Sequence, residues 1–135
     1  MKKILSVLTI IFLSVLFAYA ADEDTFSKMD KNKDGKVSKQ EYMDAMSEKF
    51  DKIDKNHDKI LTKEEIRSSG KVDAEKLIKE INPNREEKII KKMYMQAAEK
   101  QFKSIDKNQD GYIDIKEWKI FRSQKNPPAL VIFTF

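Results

Sequence analysis

The feature that most constrains the fold is a seven-residue pattern that occurs three times, at residues 26–32, 50–56 and 102–108. Each copy reads Phe, two variable residues, an apolar residue and then Asp-Lys-Asn. The two apolar positions before each Asp are three residues apart, as they are on one face of a helix, and turn-forming residues follow the Asp. The repeated unit is therefore predicted to be a helix, a polar loop and a second helix.

Oxygen-bearing side chains recur at fixed positions of each loop when its first Asp is numbered 1. Positions 1, 3, 5, 9 and 12 carry them, and the backbone carbonyl of position 7 supplies one more oxygen. With both oxygens of the Glu at position 12, a loop offers about seven, which suits Ca²⁺ at 2.3–2.6 Å, whereas Mg²⁺ prefers about six at closer range. The predicted calcium ligands are Asp30, Asn32, Asp34, Lys36, Ser38 and Glu41 in loop one (30–41), Asp54, Asn56, Asp58, Ile60, Thr62 and Glu65 in loop two (54–65), and Asp106, Asn108, Asp110, Tyr112, Asp114 and Glu117 in loop three (106–117).

These loops resemble those of the EF-hand calcium-binding family, whose pattern is D-x-[DN]-x-[DN]-G-x₅-E. Loops one and three match it throughout, and position 8, which pairs loops through a short β-bridge in the family, is Val37, Leu61 and Ile113. Loop two departs from it, because Lys59 occupies the glycine position, where a side chain at positive φ costs on the order of 1–2 kcal/mol. Loop two is therefore expected to bind most weakly, and loop three, with four carboxylates, most tightly.

Apolar spacing predicts an all-α fold with almost no strand. The predicted helices are residues 39–53, 63–68, 73–81, 84–105 and 115–124. Helix 39–53 is shared by loops one and two and, at about 22 Å, is long enough to keep them apart. Loop two is therefore expected to pair with loop three, leaving loop one without a partner or facing the tail.

Residues 1–20 have the three parts of a secretory signal peptide. Lys2 and Lys3 are basic, residues 4–17 are mostly apolar, and residues 18–20 are Ala-Tyr-Ala, a small-residue cleavage site. An uncleaved membrane anchor is the alternative. The expected organisation is a signal peptide at 1–20, an EF-hand domain at 21–126 and an apolar tail at 127–135. The mature protein is expected in a bacterial periplasm or secreted, without membrane contact after cleavage.

Composition excludes several other classes of function. The 135 residues include no Cys and one His, so disulfides, zinc–thiolate sites and a cysteine nucleophile are excluded, and a Ser–His triad is disfavoured. His57 stands at loop position 4 and is predicted to lie on the surface. The formal net charge is +4, of which Lys2 and Lys3 supply two, and the lysines of helix 84–105 alternate with glutamates, so no nucleic-acid partner is expected.

The expected function is calcium binding as a metal-stabilised scaffold or buffer, because empty carboxylate cages repel and binding energy becomes folding energy. The alternative is a sensor or calcium-dependent interaction module, with an unidentified protein partner, that exposes a Met-rich helical face or the tail. Core packing is the commoner role for such methionines, here Met29, Met43, Met46, Met93 and Met95. An enzyme with paired carboxylates lacks a supporting His, Cys or Ser constellation. Burial is expected for the β-prone tail; a partner-binding segment or a strand beside Val37 are its alternatives.

Overall fold

The computed structural model describes residues 24–70, 73–82, 84, 86–125 and 128–132, so the predicted signal peptide and residues 127 and 133–135 of the tail lie outside it. The described residues form helices and short strands of three residues each. None of the described helices is both long enough and apolar enough to cross a membrane. The helices are α1 (24–29), α2 (Lys39–Ile53), α3 (Lys63–Ser68), α4 (Ala74–Ile81), α5 (Lys91–Ile105), α6 (Ile115–Arg122) and α7 (Ala129–Ile132), and the strands are β1 (Lys36–Ser38), β2 (Ile60–Thr62), β3 (Lys88–Ile90) and β4 (Tyr112–Asp114).

Most helix predictions are confirmed, with changes at the ends. Helices α2 and α3 have the predicted bounds, and α4 begins one residue late because the Asp73 side chain accepts hydrogen bonds from the backbone of its first turn. Helix α6 ends at Arg122 rather than at residue 124. The predicted helix 84–105 is wrong at its start, because residues 88–90 pair as strand β3 and α5 begins only at Lys91.

Packing of α2 against α5 forms the centre of the core. Both helices have 15 residues, and two aromatic pairs join them. The ring centroids of Tyr42 and Phe102 are 5.5 Å apart, and those of Phe50 and Tyr94 are 5.3 Å apart. The Tyr42 hydroxyl also donates a 2.6 Å hydrogen bond to Oε1 of Gln101. Because the early residues of one helix contact the late residues of the other, the two helices are antiparallel.

The loops pair differently from the prediction. Strand β1 of loop one pairs antiparallel with β4 of loop three, with Val37 opposite Ile113. Strand β2 of loop two pairs with β3, with Leu61 opposite Ile89. The expected pairing of loop two with loop three is therefore wrong, and loop one has a partner. The physical reason is that antiparallel packing brings the start of α2 to the end of α5, and thus loop one to loop three.

The strands also correct the expectation of almost no strand. The family pattern implies only a short bridge at loop position 8. In the structure, each bridge is a ladder of two three-residue strands. These apolar position 8 residues are fully buried, so each ladder closes one end of the core. The fold is mainly helical, with two small antiparallel sheets.

The described part of the tail contains a short helix, and two of its residues are buried. Residues 129–132 form α7 instead of the β structure that their composition favoured. Ala129 and Leu130 are buried, as expected for the tail, and the Ala129 amide donates a 2.6 Å hydrogen bond to the Glu80 carboxylate. The tail segment therefore packs on the α4 side of the molecule, away from Val37, which is opposite Ile113.

We predict that Phe50→Ala lowers the free energy of unfolding by about 3–5 kcal/mol, because Phe50 is fully buried between α2 and α5. Urea denaturation followed by circular dichroism measures this change. The control is Ile120→Ala on α6, where the side chain is 63% exposed and the expected change is within about 0.5 kcal/mol. Equal effects of the two substitutions would contradict the described core.

Candidate metal centre

The first Asp of each loop anchors the loop backbone. Asp30, Asp54 and Asp106 are almost fully buried, and each directly follows a helix. One carboxylate oxygen, Oδ2, accepts a hydrogen bond from the backbone N–H of loop position 6 in all three loops. The donor–acceptor distances are 2.9 Å from Gly35, 2.8 Å from Lys59 and 3.1 Å from Gly111. The loop therefore folds back over its first residue.

Positions 3 and 5 continue the same inward pattern. In loop one, Oδ1 of Asn32 accepts from the backbone of Asp34 at 2.9 Å, and Oδ1 of Asp34 accepts from the backbone of Lys36 at 2.9 Å. Loops two and three repeat both bonds at 2.8–3.0 Å. Short-range bonds of this kind suit Asn and Asp, which favour turns over helix interiors. They bring several side-chain oxygens to the concave side of each loop.

The Glu at position 12 joins the two ends of its loop. In loop one, Oε1 of Glu41 accepts from the backbone of Lys31 at 3.1 Å, and Oε2 accepts from the backbone of Ser38 at 2.9 Å. Ser38 in turn caps α2 in a capping box with the same Glu. Glu65 and Glu117 make the equivalent contacts in their loops. A carboxylate that contacts both loop ends is well placed to close a coordination shell.

These hydrogen bonds also control the charge of two closing carboxylates. Partial burial acts against ionisation of Glu41 and Glu65, but the backbone and hydroxyl donors at position 9, together with the backbone donors at positions 2 and 3, outweigh it. The pKa of each carboxyl is therefore below its usual value. Both groups are anionic at neutral pH, as a cation ligand requires.

Two positions of each loop have a left-handed backbone. At position 6, φ is 83° for Gly35, 84° for Gly111 and 64° for Lys59, so the expected strain at Lys59 is present. Position 4 also has positive φ, near 59° in every loop. The sequence does not reveal this, because no glycine stands at that position. The residues at position 4 are Lys33, His57 and Gln109. His57 is exposed, as predicted.

The donor set fits a hard divalent cation. It consists of carboxylate, amide, hydroxyl and carbonyl oxygens, without nitrogen or sulfur ligands. Among the described residues, no group of three or more acidic or histidine side chains is arranged to hold a metal ion. In loop three, Oδ1 of Asp106 is buried without a hydrogen-bond partner. A cation would satisfy that oxygen.

The structure brings together the predicted residues of each loop, including those of loop two. Their hydrogen bonds follow one pattern in all three loops, although Lys59 replaces glycine in loop two. Their roles as ligands, and those of the carbonyl oxygens of Lys36, Ile60 and Tyr112, stay predictions.

Loops one and three face each other directly. Beyond the β1–β4 ladder, the Lys39 amide donates to the Gly111 carbonyl at 3.3 Å. The Lys36 ammonium lies 3.8 Å from Asp110 and 5.3 Å from the centre of the Tyr112 ring. Residues of one loop therefore contact predicted ligands of the other, and a cation in either loop changes the charge that its neighbour experiences.

Comparison with known proteins identifies the same two loops. Residues 23–47 and 98–121 match the family model described as EF hand. Loops one and three are thus matched to EF-hands. This family implies calcium binding, and loop two lies outside both matched segments, consistent with its missing glycine. A search of curated proteins finds no match to the chain.

We predict that Lys59→Gly raises the free energy of unfolding of calcium-free protein by about 1 kcal/mol, because glycine adopts positive φ without strain. Lys55→Gly is the matched control, since it removes the same charge from an exposed position of loop two that lacks positive φ. It is expected to leave stability unchanged or to lower it by up to about 1 kcal/mol. Chemical denaturation in the presence of chelator measures both. A stabilisation by Lys55→Gly as large as that by Lys59→Gly would attribute the effect to charge instead of strain.

Proposed function

We propose that this chain is a non-enzymatic calcium-binding protein with three metal loops, acting as a calcium-stabilised scaffold or buffer. The observation that carries the proposal is the repetition of one hydrogen-bond pattern in loops one, two and three. In each loop, the side chains at positions 1, 3, 5 and 12 direct oxygens to the loop amides. Ca²⁺ is the cation that matches this oxygen set.

The three loops are proposed to differ in affinity. Loop three offers four carboxylates and the buried, unpartnered Oδ1 of Asp106, so it binds most tightly. Loop two binds most weakly, because Lys59 holds strained backbone and brings a positive charge. Affinities of about 10⁻⁴–10⁻³ M are sufficient for a module outside the cell.

An exported location supports the scaffold or buffer role. The exported location is inferred from residues 1–20, which contain Lys2 and Lys3, an apolar stretch and an Ala-Tyr-Ala cleavage site. In a periplasm or outside a cell, calcium near millimolar concentration keeps weak sites filled. Calcium that binds only the folded state then raises the free energy of unfolding by mass action.

The methionines favour a scaffold over a sensor that exposes a Met-rich face. Met29 and Met46 are buried in the core, and Met43 and Met95 pack against it with partial exposure. Glu99 interrupts the lysines of α5, because its carboxylate lies 3.6 Å from Lys103 on the same helix and 2.6 Å from Lys39 on α2. Partners other than calcium ions, including nucleic acid, are therefore not part of the proposal.

The decisive experiment is calorimetric titration of chelator-treated protein with Ca²⁺, with Mg²⁺ as the comparison ion. We expect three calcium equivalents, loss of the weakest on Glu65→Gln and loss of the tightest on Glu117→Gln. Each substitution replaces the carboxylate at position 12 of its loop by a neutral amide. Glu64→Gln is the control, because Glu64 adjoins Glu65 on α3 but is exposed and outside the ligand set.

Several results would contradict the three-loop proposal. Two equivalents in the wild type, unaffected by Glu65→Gln, would restrict binding to the loops that match EF-hands. Absence of calcium uptake would refute calcium binding altogether. Terbium luminescence excited through Tyr112, whose carbonyl belongs to loop three, reports that loop separately and checks the assignment of the tightest event.

Binding of a hydrophobic dye separates the scaffold from the sensor. Because Met29 and Met46 are already within the core, we expect less than a twofold change in dye fluorescence when Ca²⁺ is added. Calmodulin-type exposure of a Met-rich groove would instead produce a large increase. Such an increase, abolished by chelator, would support the interaction module.

A further inference from the structure

Strand β3 lies in a segment with the spacing of a calcium loop. Strands β3 and β4 and helices α5 and α6 each begin 52 positions after their counterparts, as from Lys36 to Lys88 for the strands and from Lys39 to Lys91 for the long helices. By this spacing, residues 82–93 correspond to loop one, with Asn82 at position 1 and Ile89 at position 8. Ile89 is fully buried opposite Leu61, as Val37 is opposite Ile113.

The entry to this segment repeats that of the three loops. The backbone N–H of Asn82 donates to the carbonyl of Ile78 at 2.7 Å, as that of Asp54 donates to Phe50 at 2.9 Å. Asn82 is also buried to the same degree as the first Asp of a loop, with 2% exposure. At the exit, the Lys91 amide donates to the Lys59 carbonyl at 2.9 Å. The Lys39 amide and the Gly111 carbonyl make the same contact at the other end of the molecule.

Positions 3 and 5 of 82–93 keep oxygen-bearing side chains, Asn84 and Glu86, but positions 1, 9 and 12 do not suit a cation. Position 1 is a neutral amide, and position 12, where every calcium loop has Glu, is Met93. Position 9 is Ile90, and α5 correspondingly begins without a side-chain cap. The segment therefore lacks both the first and the closing carboxylate, together with the oxygen of position 9.

An internal hydrogen bond takes the place that a cation would have. Nδ2 of Asn82 donates a 3.1 Å hydrogen bond to the carbonyl of Lys88, the residue at position 7. In the calcium loops this carbonyl is the predicted backbone ligand. The other side-chain atom, Oδ1 of Asn82, is buried without a hydrogen-bond partner, so only the donor of the amide is used. An Asp could not donate this bond.

We propose that the segment 82–93, of which the structure describes residues 82, 84 and 86–93, contributes a fourth, metal-independent hand in which Asn82 is the positioning residue. Its amide holds the Lys88 carbonyl, and thereby β3, in the register that pairs with β2 of loop two. The loop two end of the molecule (β2 and β3) then keeps its structure without calcium. The loop one–three end (β1 and β4) has a predicted metal loop on each side and depends on calcium for its order. This difference between the two ends rests on the proposed calcium binding.

Hydrogen–deuterium exchange on the full chain, with calcium and with chelator, tests the proposal. Without calcium, we expect amides around β2 and β3 to exchange at least tenfold more slowly than those around β1 and β4. Calcium is expected to slow exchange at β1 and β4 at least tenfold more than at β2 and β3. Equal protection of both ends without calcium, or an equal gain at both ends on demonstrated calcium binding, would overturn the proposal.

Asn82→Asp and Asn84→Asp form a matched pair of variants for the role of Asn82. Asn82→Asp replaces the donor by an oxygen facing the Lys88 carbonyl, so calcium-free protection at β2 and β3 is expected to fall at least tenfold. Asn84 is exposed at position 3, so Asn84→Asp is expected to change exchange less than twofold. Equal effects of the two variants would refute a positioning role. The wild-type comparison remains decisive if Asn82→Asp does not fold.

Failure of the proposed function is distinguishable from failure of this inference. If the protein takes up no calcium, exchange at β1 and β4 is the same with calcium and with chelator. The effect of Asn82→Asp on β2 and β3 is still measured under those conditions, because it requires no metal. Calcium binding at three loops with unprotected β2 and β3 in chelator would leave the proposed function standing and refute the fourth hand.

Discussion

Antiparallel packing of α2 and α5 determines where the loops lie. Each helix has 15 residues and carries a loop-like segment at each end, so one helix–helix contact places four segments at two ends of the core. The pairs Tyr42–Phe102 and Phe50–Tyr94 set the alignment, because each joins the early part of one helix to the late part of the other. The pairing of β1 with β4 and of β2 with β3 follows from this alignment.

The local structure was predictable from the sequence, whereas the pairing was not. The bounds of α2 and α3 and the loops around them follow from short-range signals, namely apolar spacing, caps and turn residues. The apolar pattern that predicts a helix over residues 84–105 includes Ile89 and Ile90, whose spacing suits either a helix or a strand. Only a partner strand decides between them, and that partner is β2, about 30 residues away. In the three loops a Phe stands four residues before the first Asp, whereas Ile78 stands four residues before Asn82. The repeated pattern therefore does not reveal the proposed fourth hand at 82–93.

The same carboxylates serve the loop fold and the predicted metal site. Glu41 accepts hydrogen bonds from both ends of loop one and completes the capping box of α2. A cation in the loop competes for these oxygens and at the same time relieves the repulsion between Glu41 and the aspartates. Binding is therefore coupled to the position of α2, and through α2 to loop two at its other end. Under the proposed calcium binding, the energy of binding is therefore also energy of folding.

Strain at Lys59 is compatible with the fold because the backbone around it is fixed on both sides. Its N–H donates to Asp54 at 2.8 Å, and its carbonyl accepts from Lys91 at 2.9 Å. The second bond comes from α5 and needs no ion, since it extends the β2–β3 ladder. A left-handed lysine costs on the order of 1–2 kcal/mol, comparable to the net contribution of one or two such hydrogen bonds. Gly111 makes the same two bonds in loop three, with Asp106 and Lys39, so loop two keeps the common loop geometry although a lysine replaces the glycine.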